Sequence, residues 1–400
     1  MSQSRPIRTL LFSTLYPSSV RPNHGIFVET RLRELLKSGQ VETRVVAPVP
    51  WFPSSNPRFG EWAQMAATPA FEERNGIQVW HPRYALPPKV GMNVAPWTLA
   101  WGARATVAKL IREGFDFDLI DAHYYYPDGV AAAMLSRWFK KPFVVTARGT
   151  DLNLIPQHPW PRKLIEKTAQ AASGSIGVCA ALMDELHKLG ADREKLHVMR
   201  NGVDLERFQP LSKESMRQEL GLPQGLVMLS VGHLIQRKGH DVAISAAALL
   251  PDATLVIIGE GEERERLEQQ VVRLGLSERV RFTGAIANTQ LARWYSAADV
   301  LVLASSREGW ANVLLESMAC GTPVVASRIW GTPEVVQNDV AGRLVMERSG
   351  EAFAAAVRTL YAARTDRAVV RRYAEGFSWA QTSDAQHSLF QSLSMKAVAQ

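Results

Sequence analysis

The sequence predicts an α/β protein made of two doubly wound units of similar size. Three observations carry that prediction. The chain has 400 residues, more than one hydrophobic core ordinarily organises. Short apolar runs alternate with amphipathic stretches of roughly 10–15 residues, the grammar of βα units on a parallel sheet. That grammar runs through twice, and Asn201-Gly202-Val203-Asp204 with Pro210 punctuates the two rounds.

In the first round Arg8–Thr14 reads as a strand. Phe27–Lys37 reads as a helix with Phe27, Leu32, Leu35 and Leu36 on one face. Thr43–Pro48 and Ile77–Trp80 are strands, and Pro96–Arg112 has a helical period. Asp118–Ala122, Pro142–Thr146, Gly174–Val178 and Leu196–Met199 are further strands, with a helix over Gly129–Trp138. The second round gives strands at Val227–Val231, Thr254–Ile258, Val280–Thr283, Val300–Ala304 and Pro323–Ala326. Trp379–Leu393 is helical and lies beyond that set. The expected domains are residues 1–205 and 206–379. The segment Trp51–Pro88 breaks the rhythm, with Trp51, Phe52, Trp62, Phe71 and Trp80 among many prolines. It reads either as an excursion packed on the first domain or as a surface facing an acceptor or a membrane.

Bulk properties narrow the function. No run reaches the ~18–20 apolar residues of a membrane span. Arg5 and Arg8 precede Leu10-Leu11-Phe12, but that run is short for a leader and no small-residue cleavage site follows. It reads as a first buried strand, so a cytoplasmic protein is expected. Cys179 and Cys320 are too few for a disulfide framework or a thiolate metal site, and both are expected to be buried and inert. Residues 1–205 hold 25 Lys and Arg against 18 Asp and Glu, so the whole net charge of +7 sits there. Such a bias attracts an anionic partner or simply aids solubility. Nucleic acid is excluded, because no basic run is interleaved with aromatics.

The strongest chemical signal is Arg307-Glu308-Gly309-Trp310-Ala311-Asn312-Val313-Leu314-Leu315-Glu316. It follows the strand Val300–Ala304 and enters a helix read as Leu314–Ala319. The amides of Asn312 and Val313 fall at the helix N-terminus, where free N–H groups and the helix dipole favour a phosphate. A carboxylate on either side, Glu308 and Glu316, suits paired hydroxyls of a sugar or ribose. The plain alternative is a helix-capping Glu308 and a solvated Glu316.

Glu308-Gly309 … Leu315-Glu316-Ser317-Met318-Ala319-Cys320-Gly321-Thr322-Pro323-Val324-Val325-Ala326 resembles the signature of glycosyltransferase family 4. Asp299–Ser305, Val231-Gly232-His233-Leu234 … Lys238-Gly239, Gly259-Glu260-Gly261, Phe282-Thr283-Gly284 and Asn201–Asp204 with Phe208 resemble it too. In the first half Gly25-Ile26-Phe27-Val28 resembles the family's first loop. Asp121-Ala122-His123 and Arg148-Gly149-Thr150-Asp151 resemble its acceptor-side motifs. The resemblance implies the GT-B fold: two facing Rossmann-like domains with an interdomain cleft, and a final stretch of about 380–400 crossing back to the first. It implies a retaining transferase that uses a nucleoside-diphosphate sugar and no metal or other cofactor. Glu308 would bind the transferred sugar, Glu316 the ribose, and the amides of Asn312 and Val313 the diphosphate. Lys238 would neutralise the leaving phosphate. Gly25 and Gly284 would border the donor, His123 would contact the sugar or acceptor, and Arg148 and Asp151 would lie on the acceptor side.

One position departs from the family. Arginine is usual where this chain has His233, whose charge at neutral pH would be partial at its ordinary pKa near ~6.5. Arg237 is the candidate replacement. Asp116-Phe117-Asp118 matches a metal-binding Asp-x-Asp but reads as a turn leading into a strand. Gly259-Glu260-Gly261-Glu262 lacks the third glycine of a dinucleotide fingerprint. The expected acceptor is a carbohydrate or a lipid-linked molecule of polysaccharide, lipopolysaccharide or glycolipid assembly. Peripheral contact with an anionic membrane is expected through the first domain. A sugar-nucleotide epimerase and a non-catalytic sugar-nucleotide-binding subunit are the competing readings.

Overall fold

The computed structural model describes residues 5–398. Contacts divide the chain into two compact units. One runs to Arg200 and takes in the chain again from Ala380; the other is Asn201–Trp379. The hand-over falls at Asn201, slightly before the boundary read from the sequence; residues 201–204 form no turn there, and the turn comes at residues 205–207.

In the first unit the chain forms β1 (Ile7–Phe12), α1 (Ile26–Leu36), β2 (Val41–Val46), β3 (Val49–Pro50), α2 (Glu61–Ala67), β4 (Phe71–Arg74), β5 (Ile77–Trp80), β6 (Arg83–Tyr84), α3 (Gly91–Arg112) and β7 (Leu119–His123). It continues with α4 (Val130–Phe139), β8 (Phe143–Ala147), α5 (Thr150–Asn153), α6 (Pro159–Ala171), β9 (Gly174–Gly177), α7 (Ala180–Lys188) and β10 (Leu196–Val198). The second unit has α8 (Lys213–Leu220), β11 (Leu226–Val231), α9 (His240–Ala248), β12 (Ala253–Ile258), α10 (Arg264–Arg273), β13 (Val280–Gly284), α11 (Leu291–Ala297) and β14 (Val300–Leu303). Then come α12 (Asn312–Ala319), β15 (Val324–Ser327), α13 (Thr332–Val335), β16 (Gly342–Val345), α14 (Gly350–Ala362) and α15 (Arg367–Glu375). The last helix, α16 (Trp379–Val398), belongs to the first unit from Ala380 onward.

The first sheet has the order β10-β9-β8-β7-β1-β2-β5-β4, and only β4 pairs antiparallel. The second has the order β13-β12-β11-β14-β15-β16 and is parallel throughout. Central strands β7, β8 and β11 are buried along their whole length, as strands covered by helices on both faces must be. From β1 the chain winds outward to β2 and β5, then returns to β7 on the other side of β1. From β11 it winds to β12 and β13, then returns to β14. Each sheet therefore has one switch point, β1/β7 and β11/β14, where loops leaving the carboxyl ends diverge and open a crevice.

The core of the second unit packs α9 and α14 on its sheet through Ala243, Ile244, Ala247, Phe353, Val357 and Leu360. In the first unit Phe390 and Leu393 of α16 join Leu35, Val41, Leu119 and Val144. The segment Trp51–Pro88 holds α2, β4, β5, β6 and a 3-10 turn at Pro57–Phe59. Its rings pack largely on one another: Phe52 on Phe59 and Trp62, and Phe71 on Trp80. Asp118 caps the start of the first sheet, accepting from the Arg8 amide at 2.9 Å. Among the described residues no group of three or more His, Cys, Asp or Glu is placed to hold a metal. Both cysteines are buried.

Asp299 anchors the second sheet. Its carboxylate accepts from Arg217 at 2.7 Å and from the Val227 amide at 2.7 Å. Deleting one partner of a buried pair costs about 3–5 kcal/mol, so Asp299→Ala should lose about 3 kcal/mol in urea denaturation. Asp339, 76% exposed and paired with Arg343, serves as the control: Asp339→Ala should cost less than about 1 kcal/mol.

Candidate functional site

The crevice at the β11/β14 switch point is charged. The loop after β11 carries a single 3-10 turn, Gln236–Lys238, ended by Gly239 at φ 73°. The loop after β14 leads through Ser305 and Glu308 into α12. Lys238 Nζ donates to Glu308 Oε1 at 2.6 Å, and Ser305 Oγ donates to the same oxygen at 2.8 Å. Arg237 Nη1 lies 3.6 Å from it and donates to the Arg307 carbonyl at 3.2 Å. Glu308 is 7% exposed. Burial alone would raise its carboxyl, but the Lys238 ammonium, then Arg237 and Ser305, outweigh it and hold the group below the ordinary value. Two cations against one carboxylate leave this crevice positive.

Asn312 is the first residue of α12 and Val313 the second, so the helix begins earlier than the sequence-read Leu314. Their amides precede the helical ladder and are available to an anion. Asn312 Oδ1 accepts from Asn201 Nδ2 at 3.3 Å. One turn further, Glu316 Oε2 accepts from Tyr295 Oη at 2.8 Å. Burial pushes the Glu316 carboxyl up to about 7, with the Tyr295 hydrogen bond opposing.

Of the other predicted residues, His233 is exposed, and its carbonyl accepts from His240 Nε2 at 3.2 Å. Gly284 ends the edge strand β13 at φ 76° and faces Glu260 rather than the Lys238–Glu308 pair. Sequence reasoning missed His240, whose Nδ1 meets Ser230 Oγ at 2.9 Å. Burial, with Lys238 nearby, pushes it down to about 4, so it is neutral. Its position directly after Lys238-Gly239 was the available signal. Tyr295 was also missed, and nothing in its own sequence context marks it.

The β1/β7 switch point of the first unit is buried and hydrogen-bonded. Gly25 opens α1 at φ 67°, where a Cβ would stand 2.3 Å from the Leu15 carbonyl oxygen. Asp128, another missed residue, accepts from the Thr14 amide at 2.8 Å and the Thr14 hydroxyl at 2.9 Å, clamping the two diverging loops. Burial pushes its carboxyl up to about 7 against those bonds. His123 is 1% exposed. Its Nε2 faces Asp121 Oδ2 at 3.3 Å, and the Arg148 guanidinium donates to Nδ1.

Asp151, expected on the acceptor side, is wholly buried and accepts from the amides of Tyr125 at 2.9 Å, Arg148 at 3.0 Å and Gly149 at 2.7 Å. These backbone donors fix the shape of the loop after β8. Beside this region a cavity of about 210 Å³ is lined by Thr14, Arg21, His24, His81 and Tyr84 among others. It joins the loop after β1 to the Trp51–Pro88 segment.

Comparison with known proteins bears on the family and the fold. The family model for glycosyl transferases group 1 matches residues 212–377, and that for glycosyltransferase family 4 matches residues 28–207. A Bacillus subtilis protein provisionally named as the teichuronic acid biosynthesis glycosyltransferase TuaC is 30% identical, over 88% of each chain. A D-inositol 3-phosphate glycosyltransferase of Geodermatophilus obscurus is 32% identical, over 79% of this chain and 76% of that one. Among solved structures, sucrose-phosphate synthase of Thermosynechococcus elongatus superposes with a TM-score of 0.81 at 22% identity, over 97% of this chain and 99% of that one. Anabaena HepE in complex with UDP-glucose superposes with a TM-score of 0.71 at 21% identity, over 97% and 99% of the two chains.

The raised Glu316 carboxyl has a signed consequence for stability. The folded chain holds this proton more tightly than the unfolded chain does. The resulting stabilisation is complete below the ordinary glutamate value near ~4.3. It is lost as pH rises through about 7. Glu316→Gln has no such proton to lose. Between pH 5 and pH 8 the variant should gain on the wild type by on the order of 1–3 kcal/mol in urea denaturation. A gain in the opposite direction would refute the assignment.

Proposed function

The chain belongs to glycosyltransferase family 4, among the glycosyl transferases of group 1; from that premise we propose that it moves a sugar from a nucleoside diphosphate to an acceptor hydroxyl with retention of anomeric configuration. The observation that carries this reading is the second unit's crevice. It brings a lysine–carboxylate pair at 2.6 Å beside a helix N-terminus and a second, partly buried carboxylate one turn on.

In the proposed reaction the donor diphosphate lies on the amides of Asn312 and Val313, with the α12 dipole behind them. Glu316 accepts the ribose hydroxyls, and Glu308 holds hydroxyls of the transferred sugar. Lys238 leaves Glu308 for the diphosphate when the donor binds. With Arg237 it offsets the charge that grows on the leaving oxygen. His233 adds a hydrogen bond there, and Gly25 and Gly284 border the donor. His123 and Arg148 contact the sugar or the acceptor, while Asp151 holds their loop in shape.

The bond from the anomeric carbon to phosphate breaks as the acceptor oxygen attacks from the same face. The acceptor proton passes to the departing phosphate oxygen. Glu308 and Glu316 are engaged with sugar and ribose rather than flanking the scissile bond as glycosidase carboxylates do. The cations and the helix dipole supply the countercharge, so the reaction is proposed to run without a metal. The acceptor is proposed to be a carbohydrate or a lipid-linked molecule in polysaccharide, lipopolysaccharide or glycolipid assembly, taken up at the inner face of the membrane. Supporting this are the positive first half of the chain and the teichuronic acid assignment of the relative.

Incubation with labelled UDP-, GDP- and ADP-sugars should move label to an acceptor without divalent metal; isomerised donor or binding alone would overturn the proposal. Glu308→Gln should lose most turnover while the protein stays folded, and near-normal turnover would remove it from the mechanism. For Glu316→Ala, calorimetry should show nucleoside-diphosphate binding weaker by about 1–3 kcal/mol.

A further inference from the structure

Besides Trp51, Trp62 and Phe71 of the Trp51–Pro88 segment, the first unit exposes a second group of aromatic rings. Trp97 and Trp101 stand one turn apart on α3. Trp97 stacks on Trp160 of α6 with ring centroids 6.2 Å apart and planes at 17°. Trp101 packs on Trp138 of α4 at 5.2 Å. The Arg104 guanidinium lies 5.3 Å from the Trp101 ring and 5.0 Å from that of Trp138. The four indoles and this arginine make one continuous strip across three helices. It is open to solvent: Trp101 is 59% exposed and Trp160 49%.

The charge around the strip is mostly positive. α3 carries Arg104, Lys109 and Arg112 and no acidic residue, with Glu113 just beyond its end 3.7 Å from Lys109. α4 carries only Arg137. α6 carries Arg162, Lys163 and Lys167 against Glu166, which Arg162 already pairs at 2.9 Å. Lys89 and Lys140, both exposed, flank the helices. The Trp51–Pro88 segment also exposes Trp51, Trp62 and Phe71, but Glu61, Glu72 and Glu73 lie among its rings.

We propose that the α3–α4–α6 face docks on an anionic lipid bilayer, with the four tryptophans at headgroup depth and the basic residues over the charged surface. Indole rings prefer the membrane–water interface, where the apolar ring is covered and the N–H stays wet. A face on which basic residues outnumber acidic ones complements a plane of anionic headgroups. Among the described residues no helix is long and apolar enough to cross a membrane, so the chain lies on the surface. The inference gives a place to the membrane-side acceptor of the proposed function and rests on that reading only for its purpose.

Cosedimentation with phosphatidylcholine vesicles, with and without phosphatidylglycerol, tests it on the full chain. Binding should require the anionic lipid and weaken with salt. Arg104→Glu with Lys163→Glu should reduce it by more than about twentyfold, at roughly fivefold per lost basic residue. Trp101→Ser with Trp160→Ser should reduce it on the order of tenfold or more and abolish quenching of these indoles by brominated lipid. All four positions are exposed, so thermal unfolding should be unchanged. Absence of anionic-vesicle binding, or variants that bind like the wild type, would overturn the proposal. So would a solution dimer that the tryptophan variant dissociates, which would make the face a contact between copies. Transfer to a soluble acceptor is measured without vesicles. Its survival when vesicle binding fails sinks this inference alone, and its loss with binding intact sinks the transferase mechanism alone.

Discussion

The charged crevice depends on backbone approaches too close for any side chain. A Cβ on Gly239 would stand 2.0 Å from the Ala304 carbonyl oxygen, and one on Gly259 1.9 Å from that of Gly232. Glycine at these two points lets the loops leaving β11, β12 and β14 close on one another. The Ser306 amide then donates to the Arg237 carbonyl at 2.8 Å and stitches the first of these loops to the third. Lys238 immediately precedes Gly239, so its ammonium is delivered to Glu308 by backbone geometry and needs no long-range attraction to find it. The ion pair is a consequence of the glycines.

The two switch points apply one topology to opposite ends. In the second unit the crevice keeps net positive charge and a helix N-terminus, features that favour an anion. In the first unit the corresponding place is buried and its polar groups are hydrogen-bonded to one another. Thr14 clamps Asp128, backbone amides enclose Asp151, and Gln386 of α16 donates to Asp121 Oδ2 at 3.2 Å. Arg31 of α1 donates to Gln386 Oε1 at 2.8 Å. The last helix is thus tied by buried polar bonds to the strand that ends at His123. Buried networks of this kind fix geometry more than they add stability.

What the sequence made legible follows from the range of the forces involved. Buried parallel strands are continuous apolar runs, so β1, β7, β11 and β14 could be read locally. Edge strand β4, Phe-Glu-Glu-Arg, is half solvated and carries no such run. Edge strand β16 is short and begins at Gly342. The carboxylates of the motif were visible, and so was Lys238, but their bond spans 70 residues and needs the sheet order to be known. The amides that enclose Asp151 were not legible, because a ligand-facing carboxylate and one enclosed by amides have the same local sequence. Tyr295 was invisible for a similar reason, since its hydroxyl serves Glu316 only through packing of α11 on α12.

His123 shows what the buried switch point implies for chemistry. Burial, the nearness of Arg31 and the opposing pull of acidic neighbours leave the Arg148 guanidinium near 9, still charged at neutral pH. A guanidinium can only donate, so Nδ1 of His123 must accept, and the ring proton must sit on Nε2 facing Asp121. Burial, with Asp121 opposing and Arg148 reinforcing it, takes the imidazole down to about 4. The ring is therefore neutral with both nitrogens engaged, a poor candidate for general base. That constraint bears directly on the proposed reaction. A neutral His123, with Glu308 and Glu316 given to hydroxyls, fits the proposed route in which the acceptor proton leaves on the phosphate. What His123 and Arg148 can still contribute is shape and a fixed positive charge.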